Sequence, residues 1–509
     1  MKKEKFIGID LGTTFSEVTH INDAGIVEVI PNLDGDLKTP SVVSWANGKP
    51  VVGKAALPDL SLRPDIVMQF GKRQMGKVGE NGIPIPLLKS PAGEDITAIY
   101  FSAEIISYLK KSAEQYLGCE IKYVVITNPA YFDEIARSHT IAAAKKAGFT
   151  KIKLLDEPVS AALYYGLEKG NKEIIVVIDF GGGTLDITVL NIDASITKAT
   201  ITDGDAELGG GNYDESILQF KCGQAKASGF EISAEKDLAT FYSNLDKARL
   251  AKEMLARREE VMLVAEAEGK RVAIKLTRKM FLDICRSVDE RFIGCCKRVF
   301  EKLQEKNVQI SKVILVGGSS RLFHVPEMVK DVFGIEPSKD TDPDFAIAKG
   351  AAIWAQVCFG DSDTAIKIGE HIYLASDIKI QSVAAHAICV AARKTHKNDD
   401  KEYNYVIVPE NTQLPHEFER KFAPLYFGQN SVSVKIVQGK DGQLSEESTL
   451  LREFSVPIRP SDTDSDRINV KGRYTEEGLL EITVCDALLN KPVNVTFNYN
   501  PGSAENNQI

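Results

Sequence analysis

Two glycine-rich loops have residue types and spacing that suit the binding of phosphate and a hard cation. Residues 7–14 read I-G-I-D-L-G-T-T, and residues 177–184 read V-I-D-F-G-G-G-T. In each loop an apolar run ends in an aspartate, Asp10 or Asp179, and glycine follows. Glycine lets backbone amides approach an anion closely, and a carboxylate at a strand end can face Mg²⁺ directly or through water.

A second alternating run follows each loop, S-E-V-T-H-I after the first and L-D-I-T-V-L after the second. This predicts a β-hairpin in both places, which excludes the Walker A loop and the dinucleotide-binding turn because both lead into a helix. A purely structural hairpin with an incidental aspartate is the alternative for one loop alone. Two matching copies favour a duplicated half-domain with a cleft between the halves.

A third loop, V-I-L-V-G-G-S-S-R at 313–321, is predicted to run from a strand into a helix with Ser319 or Ser320 near the helix start. Such a turn can cradle a nucleoside or a phosphate at a helix N-terminus. A tight strand–helix turn without a ligand is the alternative.

These loops need a scaffold, and the chain from residue 5 to about 358 alternates strand and helix patterns, which indicates an α/β body. After about residue 375, short period-2 runs separated by turn residues predict a small antiparallel β domain. We expect this α/β body to span 1–375, followed by a linker at 376–382, a β-sandwich at 383–501 and a frayed tail at 502–509.

Composition excludes several classes of protein. The chain has 509 residues and a net charge of −9, which argues against nucleic acid or an anionic membrane as a partner. Its eight cysteines form no C-x-x-C pair, so free thiols in a reducing compartment are expected. We find no pattern of a signal peptide or a transmembrane span, and we expect a cytoplasmic protein.

Further motifs follow in a fixed order, among them G-K-R-Q-M-G-K at 71–77, D-E-P-V-S-A-A at 156–162 and L-G-G-G-N-Y-D at 208–214. With the loops above, the chain resembles the 70-kilodalton heat-shock chaperones of the DnaK type, within the actin–sugar-kinase ATPase superfamily. The resemblance implies an α/β actin-like ATPase with duplicated half-domains around a nucleotide cleft, followed by a small all-β sandwich. It also implies ATP or ADP and Mg²⁺ as ligands, with a monovalent cation as a further option.

The resemblance assigns roles to individual residues. Asp10 and Asp179 organise magnesium and its waters, Lys72 orients the attacking water, Glu157 helps to position a metal-bound water, and Thr184 lies at the γ-phosphate. The nucleotide-binding set comprises Gly12, Thr13, Thr14, Gly181, Gly182, Gly183, Gly209, Gly210, Lys252, Gly317, Gly318, Ser319, Arg321 and Asp344. Pro129 and Arg137 match a proline switch and an arginine relay between the nucleotide and substrate domains.

The sequence departs from the family pattern on the helix expected to clamp adenine, at 249–256. Arg249 stands where an acid is usual, Glu253 where many members have arginine, and Ala256 where serine is usual. We expect weaker or altered contacts to the base.

The linker I-K-I-Q-S at 378–382 has polar Lys379 and Gln381 within a usually apolar run, with Ile378 and Ile380 expected on one face. Lys153 and Asp156 stand where the family has an arginine and an asparagine that help J-domain proteins to dock, and lysine is a poor substitute for a forked arginine contact.

The β domain departs most from the family pattern. Arg393 and Leu425 fall near the two arch positions of the family's peptide groove, and Val432 and Val434 would keep its floor apolar. The chain stops where a helical lid would begin, so we expect a lidless groove; a sandwich that binds no extended peptide is the alternative.

The sequence therefore predicts an ATP-binding chaperone whose slow hydrolysis is coupled to an unfolded polypeptide or one specific client, with a J-domain protein and a nucleotide exchange factor as possible partners. A weakly catalytic partner protein that uses ATP as a structural ligand is the first alternative. A small-molecule kinase of the same superfamily is the second.

Overall fold

A computed structural model of the protein describes residues 4–79, 82–193, 195–338, 345–394, 401–461, 465–475, 479–489 and 491–496. The predicted adenosine residue Asp344 and the predicted tail at 502–509 lie outside the described residues. Among the described residues, no helix combines the length and the apolar character needed to cross a membrane.

The N-terminal part is built on a mixed sheet with the strand order β11-β10-β1-β2-β3, with β4 paired to β2. Its strands are β1 Phe6–Asp10, β2 Phe15–Ile21, β3 Val27–Val29, β4 Thr39–Pro40, β5 Val42–Ser44, β6 Val51–Val52, β7 Val67–Gln69, β8 Leu88–Lys89, β9 Asp95–Ile96, β10 Tyr123–Asn128 and β11 Lys151–Asp156. Its helices are α1 Asp59–Leu62, α2 Ala98–Leu117, α3 Glu134–Lys146 and α4 Glu157–Lys169, with 3-10 turns at Gly53–Ala56 and Gly71–Gln74.

A second mixed sheet follows, with the order β17-β12-β13-β14-β20, in which β20 is the later segment Lys379–Gln381. Its strands and the hairpin beside it are β12 Lys172–Phe180, β13 Leu185–Asp193, β14 Ile196–Asp205, β15 Glu260–Ala267, β16 Lys270–Thr277 and β17 Lys312–Val316. The helices here are α5 Gly210–Ala227, α6 Leu238–Leu255, α7 Arg278–Ile284, α8 Arg286–Glu305, α9 Val325–Phe333 and α10 Ala346–Phe359, with a 3-10 turn at Gly318–Arg321.

The two sheets repeat one arrangement. Strand β1 pairs antiparallel with β2 and parallel with β10, while β12 pairs antiparallel with β13 and parallel with β17. The prediction that each glycine loop joins two antiparallel strands is therefore confirmed. The sequence signal was reliable because a hairpin is a short-range structure whose two strands alternate on either side of the turn.

Helices α4 and α10 lie between the two sheets. One buried cluster joins Val125 of β10, Val159 of α4, Val177 of β12 and Ala351 of α10, while Val124 and its neighbours face α2 and α3 on the other side. Strands covered on both faces read as continuous apolar runs. Gly8 is needed at this contact because a Cβ there would lie 2.2 Å from the backbone nitrogen of Ala352.

The C-terminal part is a sandwich of two antiparallel sheets, with the orders β22-β21-β24-β25 and β23-β26-β27-β28. Its strands, with the preceding hairpin and linker, are β18 Ala365–Ile368, β19 His371–Leu374, β20 Lys379–Gln381, β21 Ile388–Arg393, β22 Glu402–Val408, β23 His416–Phe422, β24 Ser431–Gln438, β25 Thr449–Pro457, β26 Ile468–Tyr474, β27 Leu480–Asp486 and β28 Val493–Thr496, with short 3-10 turns at Ala375–Asp377 and Ser445–Glu447. Inward-facing residues of both sheets form its core, as the period-2 pattern predicts.

Strand β20 lies within the predicted linker and pairs parallel with β14, so that Thr197 is opposite Ile380. Ile378 is buried, and Ile380 packs against the clusters beneath the sheet, while Lys379 is exposed. The prediction that the two isoleucines pack on one face is confirmed. Lys379 is compatible with docking because alternate residues of a strand point to opposite faces.

Candidate functional site

A cleft of about 1,090 Å³ opens between the two sheets, and residues from both glycine hairpins line it. The predicted residues that line this cavity are Asp10, Gly12, Thr13, Thr14, Lys72, Glu157, Asp179, Gly181, Gly182, Thr184, Lys252, Gly317, Gly318, Ser319 and Arg321. Gly183, Gly209 and Gly210 stand directly behind this wall, where they contact residues of the loops. The structure therefore brings the predicted set together from segments far apart in sequence.

Lys72 and Glu157 form a buried ion pair at the base of the cleft, with 2.5 Å between Nζ and Oε1. Glu157 is the first residue of α4, and Lys72 lies in the 3-10 turn that follows β7. Phe70, just before this turn, has a φ of +58°, a conformation that non-glycine residues seldom adopt and that occurs preferentially at functional sites. The local chain path thus holds the ammonium group inside the cleft.

Carboxyl groups surround this lysine. Asp10 ends β1 and accepts a hydrogen bond from Thr127 at 2.8 Å, and Asp179 lies at the end of β12. Burial, and secondly the charges of Asp186 and Asp10, raise the pKa of Asp179 to about 8. Burial also raises the pKa of Asp10 and that of Glu157, whereas the charge of Lys72 opposes the shift at all of these carboxyls.

The excess of buried carboxyl groups over the buried lysine makes this site suitable for a divalent cation. Several buried carboxyl groups share the site with Lys72, and their pKa values are raised chiefly by burial, which disfavours their charged form unless a cation is close by. Oxygen donors are the ligands that Mg²⁺ prefers, and it usually keeps several of its waters. Asp10 and Asp179 are described carboxylates that could hold such an ion, directly or through water, and their role as metal-binding residues remains a prediction.

The second glycine loop is held in place by hydrogen bonds to its carbonyl groups. The Gly181 carbonyl accepts hydrogen bonds from the Gly210 amide at 3.0 Å and from Ser319 Oγ at 2.7 Å. The Gly182 carbonyl accepts from the Gly211 amide at 2.9 Å. Since the carbonyl and amide of one peptide unit point in opposite directions, these contacts leave the amides of Gly182 and Gly183 on the opposite side of the loop, where they could bind an anion.

Sequence reasoning missed two residues that hold the second glycine loop in place, Arg73 and its partner Asn212. Arg73 donates to the Gly183 carbonyl at 3.2 Å and to Asn212 Oδ1 at 2.6 Å, so it ties the glycine loop to the start of α5. Arg73 directly follows Lys72, but nothing in the local pattern distinguishes it from a surface arginine.

The third loop differs from its prediction. Helix α9 begins only at Val325, so Ser319 and Ser320 lie in the 3-10 turn rather than at a helix N-terminus. Gly317, with a φ of +80°, lets the chain leave β17 close beside Asp179, and Ser319 then reaches the Gly181 carbonyl. The role predicted for this loop consequently rests on backbone geometry and not on a helix dipole.

The atypical residues on α6 are paired with one another. Arg249 donates to Glu253 at 3.0 Å and to Asp246 at 2.7 Å, and both Arg249 and Glu253 line the cleft. Lys252 contacts Asp214 at 2.8 Å and the Gly210 carbonyl at 2.8 Å. This helix therefore braces the wall of the cleft, with the charges of Arg249 and Glu253 offsetting each other.

Replacing Gly209 with alanine is expected to reduce ATP affinity at least tenfold. A Cβ at this position would lie 2.4 Å from the Gly183 amide nitrogen and 2.6 Å from the Gly182 carbonyl carbon, so the glycine loop must shift. The measurement is titration with a fluorescent ATP analogue. Gly223→Ala, within α5, is the control: it meets no atom within 4 Å and should leave affinity unchanged while stabilising the helix by up to about 1 kcal/mol. Equal affinities in the two variants would contradict the bracing role.

Pro129 and Arg137 do not line the cleft, and Arg137 lies beside the β-sandwich, where it lines a small cavity together with Tyr474. Arg137 contacts Asp156 at 2.8 Å and donates to the Ala130 carbonyl at 3.1 Å. Next to it, the Tyr474 hydroxyl of the sandwich donates to the buried carboxylate of Glu134. The sequence reasoning missed Glu134 and Tyr474, because no local pattern links two residues so far apart in the chain.

Further contacts join the sandwich to the α/β body. His386 Nε2 is 2.9 Å from the Tyr131 carbonyl, the Thr202 amide donates to Asn411 at 2.7 Å, and Lys302 pairs with Glu410 at 3.2 Å. The two parts of the chain are thus docked through polar contacts as well as through the linker strand.

Within the sandwich, a second cavity of about 730 Å³ opens between the two sheets. All four predicted groove residues, Arg393, Leu425, Val432 and Val434, line it. Their assignment to a peptide groove remains a prediction.

Comparisons with known proteins show the family to which a chain with this fold belongs. Residues 6–509 match the family model described as Hsp70 protein. The chain is 32% identical over 494 residues to the chaperone protein DnaK of Thermosipho melanesiensis, an alignment that covers 95% of this chain and 78% of that protein. It is 30% identical over 495 residues to the chaperone protein DnaK of Thermotoga neapolitana, covering 95% and 79%.

A protein with this cleft and an attached sandwich is of the class that joins an actin-like ATPase fold to a β-sandwich domain. The chain belongs to the Hsp70 family.

Proposed function

We propose that the protein is an ATP-dependent chaperone, which binds and slowly hydrolyses ATP in the cleft and binds unfolded polypeptide in the sandwich. The observation that supports this most strongly is the cleft itself. The Lys72–Glu157 pair lines it together with Asp10 and Asp179, which lie at or next to the ends of equivalent strands, and with the braced second glycine loop. The names of the relatives, chaperone protein DnaK, agree with the proposal.

Transfer of the γ-phosphoryl group to water needs positioning and charge neutralisation more than covalent catalysis. Lys72 would orient the attacking water, and Glu157 holds the ammonium group in place. The amides of the braced glycine loop and the Thr184 hydroxyl would bind the γ-phosphate. Mg²⁺, held by Asp10 and Asp179, would neutralise phosphate charge when bound with ATP.

The linker strand provides a route from the cleft to the sandwich. Strand β20 extends the sheet that carries the second glycine hairpin, and the sandwich rests on α3 through Glu134 and Tyr474. We propose that ATP favours this docked arrangement and that hydrolysis releases it, with Pro129 and Arg137 linking the two sites. J-domain proteins and a nucleotide exchange factor are the partners that family membership suggests.

Thermal-shift and single-turnover measurements test the nucleotide chemistry. ATP with Mg²⁺ is expected to raise Tm progressively with concentration, because a ligand that binds only the native state stabilises it by about 2.7 kcal/mol at 100 times Kd. Excess chelator should reduce this rise, and single-turnover hydrolysis should be measurable. Absence of any shift at millimolar ATP would exclude the proposal.

A weakly catalytic partner protein is the second candidate, supported by the Arg249–Glu253 pair that lines the cleft in place of the family's usual residues. In that case nucleotide would raise Tm, yet hydrolysis would be no faster than in Lys72→Ala. Short apolar peptides, followed by fluorescence anisotropy, would then show no response to ATP.

Docking of the sandwich on the α/β body is expected to tighten as pH falls from 8 to about 6.5, below which protonation of undocked His386, whose pKa burial lowers at the same contact, opposes the trend. Burial raises the pKa of Glu134 to about 7, although Arg137 and the Tyr474 hydroxyl act in the opposite direction and Asp133 and Asp156 in the same one. An undocked, exposed glutamate titrates near 4.3. Docking therefore takes up a proton between these values, and the linked stabilisation present at low pH is lost as pH rises through 7.

Trp354 reports this equilibrium, since it lines a small cavity where the linker, the sandwich and the α/β body meet. With Trp45 replaced by phenylalanine, its emission should follow docking across the pH range. The docking constant should change by at most tenfold per pH unit, as expected for one proton. Glu134→Gln is the control and should flatten the profile; identical profiles would show that another group is responsible.

A further inference from the structure

A short hairpin of the strands β18 and β19 lies between helix α10 and the linker strand β20 in the chain. It contacts the segment just before β3, since Lys367 pairs with Ile26 and the Lys367 amide donates to the Gly25 carbonyl at 2.7 Å. The Tyr373 hydroxyl donates to the Leu167 carbonyl of α4 at 3.0 Å. The hairpin is therefore attached to two parts of the α/β body.

Apolar side chains of the hairpin and of the start of the linker share one buried cluster. Ile366 and Ile378 are 0% and 2% exposed, and the cluster also contains Leu163 of α4 and Ile353 of α10. Burial of this kind holds a segment in place because returning apolar side chains to water is unfavourable. The start of the linker, as far as Ile378, therefore belongs to the core of the body.

Backbone hydrogen bonds tie the start of the linker to the residues before and after the hairpin. The Ala375 amide donates to the Thr364 carbonyl at 3.0 Å, and the Ser376 amide donates to the Ser362 carbonyl at 3.0 Å. The Ile378 amide donates to the Ala375 carbonyl at 3.3 Å. All of these groups lie in the body, so the bonds do not depend on where the sandwich lies.

The sandwich holds the chain from Ser382 onward. The Leu414 amide donates to the Ser382 carbonyl at 2.9 Å, and the Ala384 amide donates to the Thr412 carbonyl at 2.9 Å. Between these two attachments stands β20, Lys379–Gln381, which pairs with β14 and has exposed or half-buried side chains. Segments with few buried contacts open at low free energy, so β20 is the part of the linker that separates first.

We infer that the hairpin anchors the linker at Ile378, so that release of the sandwich frees Lys379–Gln381 and the sandwich then turns about this point. This inference rests on the proposed function, in which ATP favours docking, and concerns its regulation. The chain from Ile378 to Ser382 spans at most about 14 Å when extended. The released sandwich therefore stays beside the body, and docking again needs a rotation and not a search through solution.

Hydrogen exchange of the full chain, resolved to single amides, tests the inference. The Lys379 amide donates to the Ser195 carbonyl at 3.0 Å, and exchange there should be at least tenfold faster with ADP and Mg²⁺ than with ATP and Mg²⁺. The Ser376 and Ile378 amides should change less than twofold. Ile380→Asp provides a release that needs no nucleotide, because it puts a charge where an apolar side chain packs, and should give the same contrast.

Tyr373→Phe tests the anchor itself. The variant removes the hydrogen bond to the Leu167 carbonyl and should speed exchange at Ser376 and Ile378 about two- to tenfold, the range expected for one hydrogen bond. Tyr242→Phe is the matched control, since Tyr242 lies on α6 in the other half of the body, and it should leave exchange at these two amides unchanged.

The outcomes separate this inference from the proposed function. Exchange at Ser376 and Ile378 that rises together with exchange at Lys379 in Ile380→Asp would overturn the inference and leave the chaperone proposal standing. Unchanged exchange at Lys379 in that variant would also overturn it, because β20 would then not be a separate unit. A contrast seen in Ile380→Asp but not between ATP and ADP would support the anchor and overturn ATP-dependent docking. Wild-type exchange at Ser376 and Ile378 in Tyr373→Phe would overturn the role of the hairpin.

Discussion

Replacing Lys72 with alanine is expected to slow single-turnover ATP hydrolysis at least a hundredfold while ATP affinity changes less than tenfold. Lys72 is buried, contacts Glu157 at 2.5 Å, and its charge opposes the raised pKa of every carboxyl around it. Removal of one preorganised donor from a buried site usually costs a factor of about 10² to 10³ in rate. The measurement is rapid-quench hydrolysis with enzyme in excess over ATP.

The control for this variant is Lys77→Ala. Lys77 lies on the same segment but is exposed and pairs with Glu207 at 2.8 Å. Its removal should change the rate less than twofold, because surface ion pairs contribute little. A Lys72→Ala protein with an unchanged rate would remove Lys72 from the mechanism and favour the weakly catalytic alternative.

Replacing Arg137 with alanine should destabilise the α/β body by about 3–5 kcal/mol, the usual cost of leaving one member of a buried ion pair alone. The variant leaves the buried carboxylate of Asp156 without its ion-pair partner. It also removes the hydrogen-bond donor to the Ala130 and Phe132 carbonyls. Urea unfolding followed by circular dichroism gives the loss, and hydrogen exchange across 128–156 locates it. ATP-dependent changes of Trp354 emission should also weaken, because Arg137 lies beside the Glu134–Tyr474 contact.

Two further variants test whether the loss of stability in Arg137→Ala comes from the buried ion pair with Asp156. Lys172→Ala removes an exposed pair with Asp193 at 3.0 Å and should cost less than about 0.5 kcal/mol. Adding Asp156→Asn to Arg137→Ala should recover part of the lost stability, since the buried charge is then gone. A loss below 1 kcal/mol in the single variant would show that water reaches Asp156 in the folded protein.

The hairpins, the alternating α/β pattern and the antiparallel strands after residue 375 could all be predicted, because each depends on periodicity within a short segment. Lys72 could be predicted only from the resemblance: a lysine in a short turn has no pattern that distinguishes it from a surface lysine. Its burial depends on Phe70 and on Glu157, which lies on another helix.

Other features follow from contacts that no local pattern records. The prediction that a helix starts directly after Gly317 was wrong, because a 3-10 turn and a further loop come before Val325, where the helix begins. The Glu134–Tyr474 contact joins α3 to a strand of the sandwich, and spacing in the chain carries no information about such a pair. The pairing of Arg249 with Glu253 does follow from their i,i+4 spacing once the segment is known to be a helix.

The parallel pairing of β20 with β14 has a consequence for the behaviour of the chain in solution. Within the described residues β20 occupies the end of the order β17-β12-β13-β14-β20, so the linker covers the outer edge of β14. When the linker leaves, the backbone amides and carbonyls of Ile196–Lys198 become an open edge, and such edges recruit strands from other molecules. Release of the sandwich should therefore be accompanied by a rise in self-association, with one molecule's linker able to complete the sheet of another.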